Sequence, residues 1–425
     1  MTIRRHPGDF RVEERCTRAW SARVVPPAGE GGFAGDWFEV WQVEKTSLTT
    51  PEAAARLAKA RGVRAGTLAH AGLKDKHAQT TQHMTLPARA PGLAVEPLSG
   101  PGWSATLVGY APKPIGPEAI EANRFTIVVR GLDHGAADAM AQRARALGWR
   151  GPGDASGPVI VNYFGAQRFG SARHGEGFAA RQLIRGEFGA ALRLLIGTPA
   201  RKDSGVRRAF TLACAEHWGN WAALLPLLPR CPQRRSIEVL AAGASEREAF
   251  AALPNFEQQM AVDAYQSHLW NRAASRLARA IAGGPDCAIV TPDPGSSVDD
   301  AGLIFPVRER LGEAWVGLAC PMPSPEEIVP SQGAGSEEAA AWRNAMDAVL
   351  GEEGVRSEDL RVPGLRRPAF GAAPRPLLVR AEGFDLHPRP PDGLDGADSG
   401  RVSLEARFDL PRGAYATVLL AALGA

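Results

Sequence analysis

One carboxylate, Asp75, lies between two lysines in the stretch Ala71-Gly72-Leu73-Lys74-Asp75-Lys76-His77-Ala78-Gln79-Thr80-Thr81-Gln82, with His70, His77 and His83 close by. Between Arg56 and Arg89 there are seven Lys/Arg and a single acid, Asp75 itself, so this segment is +6 in a chain that is +3 overall. Surrounding cations favour the charged form of a carboxylate. A charged carboxylate can act as a nucleophile in covalent catalysis, here on a polyanion that docks on the cations. The competing reading is a solvated surface turn in which Asp75 only neutralises its neighbours. The three histidines lack metal-binding helical spacing and a carboxylate partner, so no metal site is expected. No phosphate loop is present, and Gly29, Gly31, Gly32 and Gly35 do not follow a strand and open a helix.

A second stretch, Asn162-Tyr163-Phe164-Gly165-Ala166-Gln167-Arg168-Phe169-Gly170, packs three aromatics, an Arg, a Gln and an Asn into nine residues. It is a turn whose rings enter the core, or a surface where rings stack on bases and Arg168 meets phosphate. On the second reading Tyr163, Gln167 and Arg168 are RNA contacts.

The elements that must position these residues read as α+β. The 425 residues, 44% of them apolar, suit two to three globular domains. The longest apolar run, Ala414–Leu423, is too short for a bilayer span, and the N-terminus has no secretory apolar region. Five scattered cysteines point to a reducing cytoplasm. Strands are expected near Phe10–Val12, at Trp37–Val43, Thr81–Leu86 and Asn123–Arg130. A helix follows Thr50, which can cap it ahead of Pro51 and Glu52, and ends at Gly62. Ala136–Leu147 is a further helix, and residues 26–35 and 87–104 are loops. From about 158 the chain turns mainly helical, at Gly175–Leu195, Glu246–Leu253, Glu257–Ile281 and Glu337–Leu350, with strands at Ala288–Val290 and Ala314–Leu318. An acidic stretch, Glu337–Asp359, gives way to five arginines and no acid over 361–380, a boundary signal. The end alternates strictly from Val402 to Asp409, then turns at Pro411-Arg412-Gly413 into a short helix. That strand is expected to rejoin the first unit's sheet.

With these residues in view, the Gly72–Gln82 and Asn162–Gly170 stretches resemble the two signatures of the TruD family of tRNA pseudouridine synthases. Asp9-Phe10-Arg11-Val12-Glu13, Asn123-Arg124-Phe125-Thr126, Ser267-His268-Leu269-Trp270-Asn271 and Phe408-Asp409-Leu410-Pro411-Arg412-Gly413-Ala414-Tyr415-Ala416-Thr417 resemble four more family elements, in the family's order. The resemblance implies a pseudouridine-synthase catalytic domain on a mixed antiparallel sheet, with a large α/β insertion, V-shaped around an RNA cleft. Its parts would be a catalytic segment 1–157, an insertion 158–364 and a returning catalytic segment 365–425. It implies isomerisation of uridine to pseudouridine in tRNA, at position 13 in typical members, by a cytoplasmic monomer that needs no cofactor. Asp75 falls on the family's nucleophile, Phe10 and Phe408 on its substrate-contacting phenylalanines and Asn123 on its asparagine. Core packing stays open for both phenylalanines. Lys74 and Lys76 would hold Asp75 ionised or meet phosphate, and Arg4, Arg5, Arg366 and Arg367 are candidate phosphate contacts. Segments 200–253 and 389–400 exceed many bacterial members. A non-catalytic tRNA-binding protein on the same fold is the alternative.

Overall fold

Alternation of apolar and polar residues builds the first unit, and the computed structural model describes residues 2–27, 36–89, 91–172, 177–200, 203, 205–292, 302–330, 335–390, 392 and 400–425. Most of the loop expected at 26–35, and most of segment 389–400, lie outside these. Two compact units emerge: Met1–Ile160 with Val379–Ala425, and Val161–Leu378.

Unit one is a nine-stranded sheet. Its strands are β1 (Phe10–Cys16), β2 (Phe38–Thr46), β3 (Ala69–His70), β4 (Gln79–Pro87), β5 (Leu98–Gly100), β6 (Trp103–Ala111), β7 (Ile120–Leu132), β8 (Glu382–Arg389) and β9 (Val402–Pro411). The order across the sheet is β8-β9-β7-β1-β4-β2-β6-β5, with β3 on β4. Pairing is antiparallel except between β1 and β4, which run parallel. The returning strand β9 pairs along β7, so the end of the chain completes the sheet begun at its start.

The helix Thr50–Ala60 covers β2, β4 and β6, burying Ala53, Ala54 and Leu57 against Trp41, Val43, Met84 and Leu107. Its cap is Thr49, not Thr50. The Thr49 hydroxyl accepts from the Glu52 amide while the Glu52 carboxylate accepts from the Thr49 amide at 2.7 Å. This reciprocal box satisfies two otherwise orphaned donors and leaves the Thr50 hydroxyl free for another partner. Gly62, at φ +63°, stops the chain beyond the helix, in a region a Cβ disfavours. The strand β6 falls partly in the expected loop 87–104 and is otherwise a new element. Its buried residues Ala105, Leu107 and Tyr110 lose the period of two where the register with β2 shifts, and a Pro/Gly run precedes them.

Unit two is organised on one long helix, Asn255–Ala282, packed against Glu337–Glu353. The buried Glu353 carboxylate at the end of the second helix accepts from Tyr265 Oη at 2.9 Å and pairs with Arg272 at 2.5 Å. The helix expected over 175–195 is broken: Ala179–Ile184 ends before Gly186 (φ +77°), and Phe188–Leu192 starts anew. Ala314–Leu318, expected as a strand, is mostly helix (Glu313–Val316), an ambiguity inherent in short apolar runs. Helices Gly205–His217 and Arg234–Ala241 lie within segment 200–253. Residues 365–378, placed in the returning segment by the family resemblance, belong to unit two. There Arg375 donates to Asn162 O and Oδ1, both at 2.8 Å, and stacks 3.8 Å over the Phe164 ring. Among the described residues no helix is long and apolar enough to cross a membrane.

An aromatic ladder knits the returning strands to the sheet. Phe408 stacks on Phe125 at 5.5 Å and on Phe384 at 6.1 Å, and has no exposed surface. Phe408→Ala should therefore lower stability by roughly 3–5 kcal/mol, and Phe408→Leu by clearly less, in urea titrations followed by circular dichroism. Equal effects would remove the ladder from the core.

Candidate active site

One register row crosses five strands of unit one: Phe408 on β9, Phe125 on β7, Val12 on β1, Thr80 on β4 and Lys45 on β2. Residues paired in register share a face of the sheet. This face is therefore aromatic at one end and charged at the other. The loop of residues 71–78, leaving β3 and entering β4, lies over the charged end and carries Asp75.

Buried groups hold that loop by its backbone. Lys45 is 1% exposed, and its Nζ donates to Leu48 O at 2.7 Å and to Asp75 O at 2.9 Å. Burial pushes the Lys45 ammonium down to about 8, with the Asp75 charge opposing that shift. Lys74, expected to serve Asp75 or phosphate, pairs with another carboxylate. Its Nζ lies 2.6 Å from Glu14 Oε1, and Glu14 Oε2 accepts from the His83 amide at 2.8 Å. The Lys74 amide donates to Thr50 Oγ1 at 2.9 Å.

The Asp75 carboxylate faces a second set of groups. Its Oδ2 is 2.8 Å from Arg4 Nη2, and its Oδ1 accepts from the His77 amide at 2.9 Å. The Arg4 guanidinium also sits 4.5 Å above the Phe10 ring, a cation–π contact. Arg4 reaches this place because the N-terminal arm is tied down on both sides of it. Thr2 exchanges backbone hydrogen bonds with Arg130, and the buried Arg130 side chain grips Asp9 through Nε (3.0 Å) and Nη2 (2.7 Å). The result is a partly exposed carboxylate, oriented by a guanidinium and an amide, on a loop pinned from beneath.

The structure thus brings together Asp75, Arg4 and Phe10. Phe10 is 4% exposed, its ring lying beneath Arg4 and edge-on to Phe125 at 6.2 Å. Asn123 pairs in register with Glu14 and Leu410 on the same face, and its buried Oδ1 has no hydrogen-bond partner. Lys76 is exposed, as are Arg5, Arg366 and Arg367. Phe408, expected to touch a substrate, is fully buried between Phe125 and Phe384. In the Asn162–Gly170 stretch all three aromatic rings are buried. Tyr163 is fully buried, its hydroxyl donating to Ile304 O at 2.9 Å, and Asn271 bonds both the amide and the carbonyl of Phe164. Arg168 pairs with Asp263 at 3.0 Å and donates to Ser267, leaving Gln167 as the exposed side chain of these three. Three contributors escaped the sequence reading as site residues: Glu14, Lys45 and Thr50. Lys45 carried a signal, since a lysine at an inward strand position is rare unless it is satisfied there.

A sequence model of the family tRNA pseudouridine synthase D (TruD) matches residues 1–423. Among curated proteins, the chain is 30% identical over 430 residues to a probable tRNA pseudouridine synthase D of Pyrobaculum neutrophilum (98% of this chain, 90% of that one). It is 26% identical over 388 residues to the tRNA pseudouridine synthase D of Aquifex aeolicus (89% of each). Among solved structures, the crystal structure of a putative tRNA pseudouridine synthase D from Methanosarcina mazei superposes with a TM-score of 0.62 at 20% identity, covering 99% of this chain and 92% of that one.

Lys45 makes the geometry measurable. Its proton is held less tightly in the folded chain than the ordinary value of 10.5. The unfolded state therefore binds more protons between about 8 and 10.5, and stability gains from rising pH in that window. Relative to Lys45→Met, the wild type should gain up to about 3 kcal/mol between pH 7.5 and 10.5 in urea titrations. A pH-independent difference would place the ammonium in solvent.

Proposed function

The chain belongs to the TruD family of tRNA pseudouridine synthases, and on that membership we propose that it isomerises uridine to pseudouridine in tRNA, at U13, with Asp75 as the nucleophile. The observation that carries the assignment of Asp75 is its carboxylate, held 2.8 Å from Arg4 on a loop whose backbone is bonded by buried side chains. Isomerisation breaks the C1′–N1 bond and forms C1′–C5. The proton on C5 is released and N1 gains one, so no electrons are transferred and no redox partner is required.

A uracil stacked in a helix is out of reach of a carboxylate, so the target nucleotide is flipped out towards Asp75. Asp75 then attaches to C6 of the base or to C1′ of the sugar. The detached base turns, C5 bonds to C1′, and the carboxylate leaves. Arg4 orients the carboxylate and stays beside it as charge shifts off its oxygens. Phe10, under Arg4, and Asn123, with its unpartnered carbonyl oxygen on the same face, are the groups we assign to contact with the flipped base. Phe408 acts by backing Phe125. The exposed Arg5 and Lys76 meet phosphates of the tRNA. A tRNA substrate supports a cytoplasmic setting.

An unmodified tRNA carrying U13 distinguishes this reading from a tRNA-binding protein without catalysis. The wild type should form pseudouridine, mapped by carbodiimide adducts, and Asp75→Asn should be slower by roughly a thousand-fold or more. No product from the wild type, or equal product from the variant, would refute the enzyme assignment. The affinity for tRNA should fall as salt rises, with a log–log slope of about −0.7 to −0.9 for each phosphate neutralised. A flat dependence would rule out a phosphate-binding surface.

A further inference from the structure

We propose that Thr50 is a positioning residue for Asp75: its hydroxyl clamps the Lys74 amide, and Gln82 fixes the direction in which that hydroxyl points. This rests on Asp75 being the nucleophile. Thr50 is 1% exposed and heads the Thr50–Ala60 helix, yet the helix takes its cap from Thr49. The Thr50 side chain is therefore spent elsewhere. A threonine hydroxyl has one proton to give and lone pairs to receive. The Lys74 N–H occupies a lone pair at 2.9 Å, and the hydroxyl proton goes to Gln82 Oε1 at 3.0 Å. Gln82 is fully buried on β4, on the inward face. The hydroxyl cannot rotate away without leaving that oxygen unsatisfied inside the sheet.

The same corner of the chain supplies the second hold on the loop. Lys45, at the end of β2, bonds the Asp75 carbonyl and also the Leu48 carbonyl, closing the turn between β2 and the helix. Ser47 in that turn sits at φ +57°, a left-handed conformation that a serine keeps only when its surroundings impose it. Residues 45–50 thus form one braced corner with two grips, on the Leu73–Lys74 and Asp75–Lys76 peptide units, one before and one after the Asp75 Cα. Residues 71–78 have no strand or helix hydrogen bonds of their own. Without the Thr50 grip the carboxylate keeps its chemistry and loses its placement, and a displacement near 1 Å is enough to slow an enzyme by orders of magnitude.

The test compares Thr50→Val, which keeps the shape and removes the hydroxyl, with Thr50→Ser, which keeps the hydroxyl. Single-turnover rates on the U13 tRNA should fall by about 10- to 100-fold in Thr50→Val, with the Kd for tRNA within about three-fold of wild type. Thr50→Ser should restore the rate to within about three-fold. A wild-type rate in Thr50→Val, an equal loss in Thr50→Ser, or a loss confined to tRNA affinity overturns the proposal. Hydrogen exchange on the unsubstituted protein keeps it falsifiable if Thr50→Val does not fold: the Lys74 amide should be protected, and exchange at the rate of a free loop refutes the clamp. Failure of the Asp75 assignment reads differently. Asp75→Asn would then match the wild type, while the Lys74 protection would be untouched.

Discussion

A buried ammonium that, among the described residues, bonds backbone carbonyls and no carboxylate constrains everything around Asp75. Lys45 replaces water with the carbonyl oxygens of Leu48 and Asp75. Taking an ammonium from water is costly unless such acceptors are supplied. The loop over the sheet is therefore part of what makes the Lys45 side tolerable, and Lys45 in turn dictates where the loop's backbone lies. Neither the strand end nor the loop reaches its conformation independently. The lowered proton affinity of Lys45 is the thermodynamic trace of that mutual dependence.

The same logic runs through the other groups of the site. Glu14 is buried because Lys74 and the His83 amide satisfy it, and Lys74 is consequently withdrawn from solvent. Arg130 is buried because Asp9 and Asp392 satisfy it, and the arm that carries Asp9 carries Arg4 with it. Each buried charge is met by a segment distant in sequence. Removing one partner of such a pair strands the other in a low-dielectric interior, which is more damaging than never having buried either. The site is thus assembled by electrostatic necessity from residues 2–14, 45–50 and 74–83. The strand β9, from the far end of the chain, closes the sheet on which they stand.

Much of the first unit was readable from alternation alone. Phe10–Val12, Thr81–Leu86 and Asn123–Arg130 are parts of longer observed strands, and the Val402–Asp409 alternation is the return strand β9. The segment that holds Asp75 also stood out, because a single acid in a +6 segment is an unusual arrangement and the surrounding motif has low degeneracy. Less was readable where one composition serves two physical ends. The aromatic/Arg stretch at 162–170 suits a base-stacking surface and a core equally well, since guanidinium and ring stack in either setting. In the structure Asn271, Ser267 and Asp263 from the long helix supply the polar partners that let it be buried. Phe408 was ambiguous for the same reason: an inward phenylalanine on a strand packs against rings whether those rings belong to a protein or to a base.

What the sequence alone determined is the charge pattern that singles out Asp75, the alternation that makes the sheet, and the family to which the chain belongs. Those features are local: a charge pattern over some thirty residues, a period of two, a run of motifs. What only the tertiary structure decided is how each polar side chain is satisfied. Thr49 rather than Thr50 caps the helix, Lys74 turns to Glu14 and not to Asp75, and Arg4 arrives from the N-terminus to flank the carboxylate. A side chain's hydrogen-bond capacity is written in its type, but its partner is set by which distant segments the closed sheet brings within about 3 Å. That distance is a property of the fold, and no local stretch of the chain contains it.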